Sequence, residues 1–253
     1  TTNIAGDCIG QELNSNIAIL INNNVIAREF KNEFLEMFTF DPALKLKVNS
    51  LTNSDGTEEL PAGRFHQNKK PNTKRYFTFD DGTELRVHFA PTDDAEHRVI
   101  LPMLYSAQKG DKIKISMFGN SGNELMSAIK YAANNGAYVQ VLLDHISAAQ
   151  KSSWTHPKNP NNICTAKAYN SQKASEGGIS VITSGATGSF NHMKVGTKNN
   201  EQLIVGSQNW SLPGNDSNDE NMITIRKDGG LPIIKDVNNF FQDCITILKK
   251  YNR

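Results

Sequence analysis

The sequence predicts an α/β protein, a mixed β-sheet flanked by helices, and three observations carry that prediction. Residues 84–144 alternate strand, helix, strand, helix, strand, the order from which α/β sheets are built. Residues 137–144 (A-Y-V-Q-V-L-L-D) form a nearly continuous apolar run, the pattern of a parallel strand buried on both faces. Between the strands, Leu125, Met126, Ile129, Ala132 and Ala133 fall on one helical stripe, as a helix packed on a sheet requires.

In chain order, residues 14–21 read as a strand and residues 27–38 as a helix. Phe30, Phe34, Met37 and Phe38 lie at helical spacing on one face of it. Residues 39–83 carry the turn signals Asp41-Pro42, Asp55-Gly56, Pro61, Pro71 and Asp81-Gly82, and read as a connector. Inside it, residues 69–75 form a basic run beside Tyr76, Phe77 and Phe79. Such runs are most often solvated loops; the functional alternative is a grip on phosphate or a lipid surface. Residues 84–90 alternate as a strand should, and Thr92 or Asp93 suits the cap of a helix through Val99, Ile100, Leu104 and Ala107. Pro102 inside that helix predicts a kink or a late start. A strand at 112–118 and a helix at 123–135, ended by Gly136, lead to the apolar strand. Residues 145–178 are loop-rich, with Trp154, His156, Pro157 and Pro160 near the carboxyl edge of the sheet, where ligands bind in such folds. A short helix over 165–175, a strand over 178–182 and a closing helix over 235–247 complete the reading.

The chain of 253 residues is long enough for one large domain or two small ones. Its net charge of +1 gives no global field toward nucleic acid or an acidic membrane. No apolar run approaches the roughly 18 residues that span a bilayer. The first residues lack the basic start and apolar stretch of a signal peptide. A secreted or periplasmic setting is the expectation, with any leader already removed. Cys8, Cys164 and Cys244 cannot all pair within one chain. Cys244 falls on the apolar side of its helix and reads as a core thiol; a Cys8–Cys164 bridge stays open for a secreted protein.

The chemistry concentrates between His192 and Ile225. His192 and Lys194 are two residues apart, so a strand points both side chains to one face. Gly206, Ser207 and Asn209 follow, then Glu220. An imidazole, a fixed cation, hydrogen-bond donors and an orienting carboxylate are what phosphoryl chemistry requires. The bland reading is a β-hairpin with a tight Gly-Ser turn and an incidental histidine.

This stretch resembles the phospholipase D superfamily, whose motif is H-x-K-x4-D-x6-G-S-x-N. His192, Lys194, Gly206, Ser207 and Asn209 match without a gap, and Asn199 stands where the family has Asp. The strand ending His88-Phe-Ala-Pro91 resembles the first strand of a family repeat. The opening residues echo the tail of the motif: Asn3 and Asn16 are phased like Asn209 and Asn221, and each pair leads into an aromatic-bearing helix. The resemblance therefore implies three parts: the tail of a first repeat (1–38), a connector (39–83) and a complete second repeat (84–253). On this reading the chain starts past the first repeat's own His-x-Lys.

The resemblance further implies a phospholipase D-type phosphodiesterase that hydrolyses or transfers phospholipid headgroups through a phosphohistidine. His192 would be the general acid/base, near neutral pH a suitable one. The nucleophilic histidine would come from an N-terminal half carrying the first His-x-Lys, in the same precursor or a separate chain. Lys194 would hold nonbridging oxygens as a compact charge, Ser207 and Asn209 would donate hydrogen bonds, and Glu220 would steer the histidine of the opposite repeat. The first-repeat position matching Glu220 is Ser15, so His192 would lack a carboxylate partner there. Asn3, Asn199, Trp210 and His145 are candidate substrate-binding residues. The chemistry needs no metal or other cofactor. A homodimer could pair two copies of His192, as in single-motif members, but residues 1–38 would already fill the partner's place. The alternatives are a nuclease of the same superfamily, using the basic run at 69–75 on nucleic acid, and a phosphate-binding module without turnover. The small net charge argues against strong DNA affinity.

Overall fold

In the computed structural model, residues 14–38, 51–52, 58–59, 63–70, 74–118, 123–144, 179–183 and 190–251 are described. Their central feature is a mixed sheet of eight strands. From one edge to the other these are β4 (Tyr76–Thr78), β5 (Glu84–Ala90), β12 (Glu220–Arg226), β11 (Gln202–Gly206), β10 (Lys194–Lys198), β6 (Lys112–Met117), β7 (Tyr138–Leu143) and β8 (Ile179–Thr183). The first five neighbouring pairings, through β10 with β6, are antiparallel, and the last two are parallel. The expected strands at 84–90, 112–118, 137–144 and 178–182 are all present, within a residue or so at their ends. The sheet starts earlier than expected, because β4 lies inside the residues assigned to the connector. The rest of that stretch contributes the two-residue pair β2 (Leu51–Thr52) and β3 (Glu58–Glu59) and a short helical turn at His66–Asn68.

Alternation along the strands sends side chains to two separate cores. On one face α2 (Leu101–Tyr105) and α3 (Asn123–Asn134) pack on Ile113, Ile115, Val139, Val141 and Ile204. On the other, α5 (Pro232–Tyr251) sets Ile234, Val237, Phe241 and Ile245 against Leu85, Val87, Val195, Leu203 and Val205. Cys244 is half-buried beside this second core, and burial pushes its thiol up. Pro102 sits in the first turn of α2, preceded by a widened turn at Glu96–Ile100, so the late start is realised. Neither Thr92 nor Asp93 caps this helix; Asp93 accepts from the Phe89 amide (2.9 Å) instead.

The opening segment packs on the second core through Ile17, Ile19, Ile21 and Ile26. Only Asn14–Ser15 (β1) are strand, paired in parallel with β9 (Phe190–Asn191). Helix α1 (Asn24–Met37) is capped by Asn23, whose side chain accepts from the amides of Val25 and Ile26. Its aromatic stripe is not its buried side: Phe34 is 58% exposed, whereas Glu29, Glu33 and Glu36 are buried. The cause is charge. Glu33 pairs with Lys69 (2.6 Å), Glu36 with Arg64 (3.7 Å), and Glu29 accepts from the Lys74 amide (2.8 Å). Of the basic run, Lys69 is thus turned inward against α1 and Arg75 is paired with Asp93, while Lys70 and Lys74 stay exposed.

Gly196 matters for packing. A Cβ there would lie 2.5 Å from Trp210 Cη2 and 2.8 Å from its Cζ2. Gly196→Ala should therefore destabilise the fold by about 1–3 kcal/mol, the usual cost of overpacking a filled core, measured by urea unfolding.

His88 is buried, and neither ring nitrogen has a hydrogen-bond partner. Burial first, then the positive charges of Arg86, Arg75 and Arg98, push its imidazole down from 6.5 to about 4. Between those values the unfolded chain binds a proton that the folded chain does not, so stability falls as pH falls through that window. The loss attributable to His88 is roughly 3 kcal/mol, and His88→Leu should flatten the pH dependence of unfolding between pH 6.5 and 4.

Candidate active site

Neighbouring strands β10, β11 and β12 share one edge of the sheet, where β10 and β12 begin and β11 ends. His192 and Lys194 stand at the start of β10, Ser207 and Asn209 follow β11, and Glu220 opens β12. Lys194 and Glu220 are thus two interstrand spacings apart, roughly 10 Å.

Lys194 is only 4% exposed, and its Nζ donates to the backbone oxygen of His192 at 2.8 Å. The same ammonium lies 5.4 Å from the centre of the Phe118 ring, and the His192 ring centre lies 5.1 Å from it. Both functional groups therefore gather on one aromatic surface instead of diverging. Phe118 itself is set at the end of β6 by its amide, which donates to Met193 O (3.1 Å).

The residue before the imidazole is fixed most firmly. Asn191 is buried; its amide donates to Asp144 Oδ2 (2.9 Å) and its Nδ2 to Leu142 O (3.0 Å). Its Oδ1 accepts from Ser116 Oγ (3.1 Å). The ends of β6 and β7 thereby position His192. Sequence reasoning missed Asn191, Asp144 and Phe118 as supports. Their one legible signal is place: Asn191 directly precedes the motif, and Asp144 closes a buried strand. Ser15 pairs with Asn191 in the β1–β9 register, so the opening segment runs directly beside His192.

Ser207 Oγ accepts from the Asn221 amide (3.0 Å), while the Ser207 amide donates to Asn221 O (2.9 Å). Among the described residues no acceptor takes its hydroxyl hydrogen. Gly206 has no room for a side chain, since a Cβ would collide with the backbone at Asn221 and Met222. Asn209 Oδ1 is buried without a hydrogen-bond partner. Glu220 is half-buried and accepts from Asn218 Nδ2 (3.3 Å).

Two expected substrate-binding residues lie elsewhere. Asn199 sits in the turn at the opposite end of β10 with a left-handed backbone (φ 56°), which Asn tolerates well. Its Oδ1 accepts from the Lys112 amide and its Nδ2 donates to Asp111, both at 2.9 Å. Asn238 of α5 donates to its backbone oxygen at 2.6 Å. An aspartate at 199 would face Asp111, which accounts physically for the amide here. Trp210 is 1% exposed, with its ring over Gly196, and belongs to the core. Asn3, His145, the loop at 145–178 with its expected helix, and Cys8 and Cys164 lie outside the described residues.

Beside Glu220 opens a cleft of about 180 Å³. Phe30, Phe34, Met37 and Phe89 form its apolar wall, and Lys69, Glu220 and Asn221 lie on its polar one. Lys69 holds this region together: its Nζ meets Glu33 Oε1 and Ala90 O at 2.6 Å, and Asp219 Oδ1 at 3.1 Å. His66 pairs with the other oxygen of Asp219 (2.9 Å).

A family model described as "Cardiolipin synthase, PLD-like domain" matches residues 100–245, more than half of the chain. The chain belongs to the phospholipase D superfamily. Members of this superfamily are phosphodiesterases. Among solved structures, the phospholipase D family member Nuc from Salmonella typhimurium is similar, with a TM-score of 0.52 and 18% identity over 65% of this chain and 95% of that one. NucT from Helicobacter pylori gives 0.49 and 16%, covering 65% and 96%. Phosphatidylserine synthase from Haemophilus influenzae gives 0.46 and 16%, covering 75% of this chain and 42% of that one. At these identities what is shared is the fold. Among curated proteins none matches. Among the described residues, no helix is long and apolar enough to cross a membrane.

Removing the Lys69 ammonium would strand Glu33, whose carboxyl burial already raises above its usual range. Lys69→Met should cost about 3–5 kcal/mol at neutral pH, as for other broken buried pairs. The loss should shrink as pH falls toward the usual glutamate range, because Glu33, raised further without Lys69, takes up its proton at a higher pH than an ordinary glutamate. Adding Glu33→Gln should recover part of it, as read from urea unfolding of the single and double variants.

Proposed function

We propose that this chain supplies one half of a phospholipase D-type active site that releases or transfers phospholipid headgroups. The observation that carries this reading is the gathering of His192 and the buried Lys194 on Phe118, at the edge where Ser207, Asn209 and Glu220 also end. The substrate phosphate rests between the imidazole and the ammonium. Lys194 neutralises a nonbridging oxygen, with its charge strengthened by partial exclusion of water. Ser207 donates its free hydroxyl hydrogen, and Asn209 turns its amide to the same oxygens. His192 protonates the leaving alcohol, then takes a proton from the water or acceptor alcohol that opens the intermediate. That intermediate is a phosphohistidine on the nucleophile of the N-terminal half, whose imidazole Glu220 orients. Residues 14–38 support this arrangement, because β1 runs beside His192 while α1 walls the cleft next to Glu220.

The same cleft favours a lipid over a nucleic acid. Its apolar wall of Phe30, Phe34 and Met37 adjoins the polar edge, as an amphipathic substrate needs. In the basic run, the side chains of Lys69 and Arg75 are already paired with carboxylates, which leaves Lys70 and Lys74 as its exposed cations.

The test is headgroup release from phosphatidylcholine vesicles by the chain together with its first-repeat half, beside a plasmid-nicking assay. His192→Ala should lower release by roughly 10²–10⁴-fold, the range for loss of a positioned acid/base. An unchanged rate removes His192 from the mechanism, and nicking without headgroup release removes the lipid reading.

A further inference from the structure

A second, larger concavity lies at the far end of the sheet. It is a groove of about 410 Å³ between the sheet face and the α2 side, within the size range of small-molecule sites. Thr224 and Arg226 line it from β12, Arg86 from β5, Lys198 from β10 and Arg98 from the turn before α2. Thr224 is four residues along β12 from Glu220, about 13 Å at roughly 3.3 Å per residue. The groove is therefore separate from the candidate active site and shares none of its residues.

Its cations are unevenly paired. Lys198 pairs with Asp111 (3.2 Å) and Arg226 with the exposed Asp228 (3.1 Å). Arg98 has no side-chain partner among the described residues, and Arg86 stacks on the Tyr76 ring, 4.9 Å from its centre. Glu84 and Glu201 also line the groove, so its four cations meet four carboxylates, with Arg98 and Arg86 outside any ion pair among the described residues. The Thr224 hydroxyl oxygen is buried without a hydrogen-bond partner, on a residue 5% exposed. The field of Arg86 and Arg98 is felt at His88, where it adds to the effect of burial in keeping the imidazole neutral.

We propose that this groove is a binding site for a small molecule carrying two or three phosphate groups. The planar guanidinium forks of Arg86, Arg98 and Arg226 match phosphate oxygens in pairs, and the Thr224 hydroxyl takes one more oxygen. Val99 and Met103 give the groove an apolar wall for the carbon part of the ligand. The phosphates can belong to a free metabolite or to a polyphosphorylated lipid headgroup, which share this chemistry.

The experiment is calorimetric titration of the full chain at low salt with inorganic tripolyphosphate. In parallel, the chain is sedimented with phosphatidylcholine vesicles containing phosphatidylinositol bisphosphate. Arg98→Gln and Arg226→Gln are compared with Lys194→Ala, and circular dichroism verifies that each variant is folded. Each Arg variant should weaken binding about tenfold; in Lys194→Ala, which removes the active-site contact to phosphate, the binding that depends on Arg98 and Arg226 should persist. That pattern with tripolyphosphate identifies a soluble ligand; the same pattern with vesicles alone identifies the headgroup as the source. The proposal is overturned if neither probe binds, if binding ignores the Arg98 and Arg226 substitutions, if it disappears in Lys194→Ala, or if only single-stranded DNA binds in an Arg98-dependent way.

Discussion

A buried ammonium has to be held, and at Lys194 it is held by the backbone of the residue that bears the imidazole. The hydrogen bond from its Nζ to the His192 oxygen lets a cation reside where water is scarce. It also ties the ammonium to the main chain that bears the imidazole. The clamp on Asn191 continues this tie into β6 and β7, so the position of the imidazole is set by the sheet and not by a loop. Sites supported in this way keep their geometry because the elements beneath them are rigid.

Charge also decides how the opening segment docks. Helix α1 buries three glutamates beside Ile26 and Leu35 and leaves Phe34 in water, so its inner face is mixed where an ordinary amphipathic helix buries apolar residues alone. The burial of the glutamates follows from what lies beneath them: Arg64, Lys69 and the Lys74 amide. The exposed aromatic face then becomes a wall of the cleft beside Glu220. One sheet thus carries two different environments at its two ends: a paired, partly apolar cleft near the motif, and an open groove lined by cations and carboxylates at the other end.

Much of the fold was legible because burial leaves a periodic trace. The strands at 84–90, 112–117 and 138–143 and the helix at 123–134 each carry their apolar spacing in the chain itself. The motif residues were legible for a different reason: fixed spacing on adjacent strands forces His192, Lys194, Ser207, Asn209 and Glu220 to one edge. The helix face of α1 was not legible, because spacing reports where apolar residues recur and not which side meets a cluster of opposite charge. Trp210 was misplaced by adjacency, since a residue next to a site residue points the other way on extended backbone. Asn199 was placed by its position in the motif, yet the far end of a five-residue strand is about 16 Å distant.

By itself, then, the sequence determined the α/β class, the order of the main strands and which polar groups stand together at one edge of the sheet, since these depend on local pattern and spacing. Only the tertiary structure decided that Asn191 and Phe118 hold the imidazole, that Lys69 faces inward against α1, and that Arg86, Arg98 and Arg226 share a groove. Those outcomes depend on contacts between segments tens of residues or more apart, and such contacts leave no local periodicity to read.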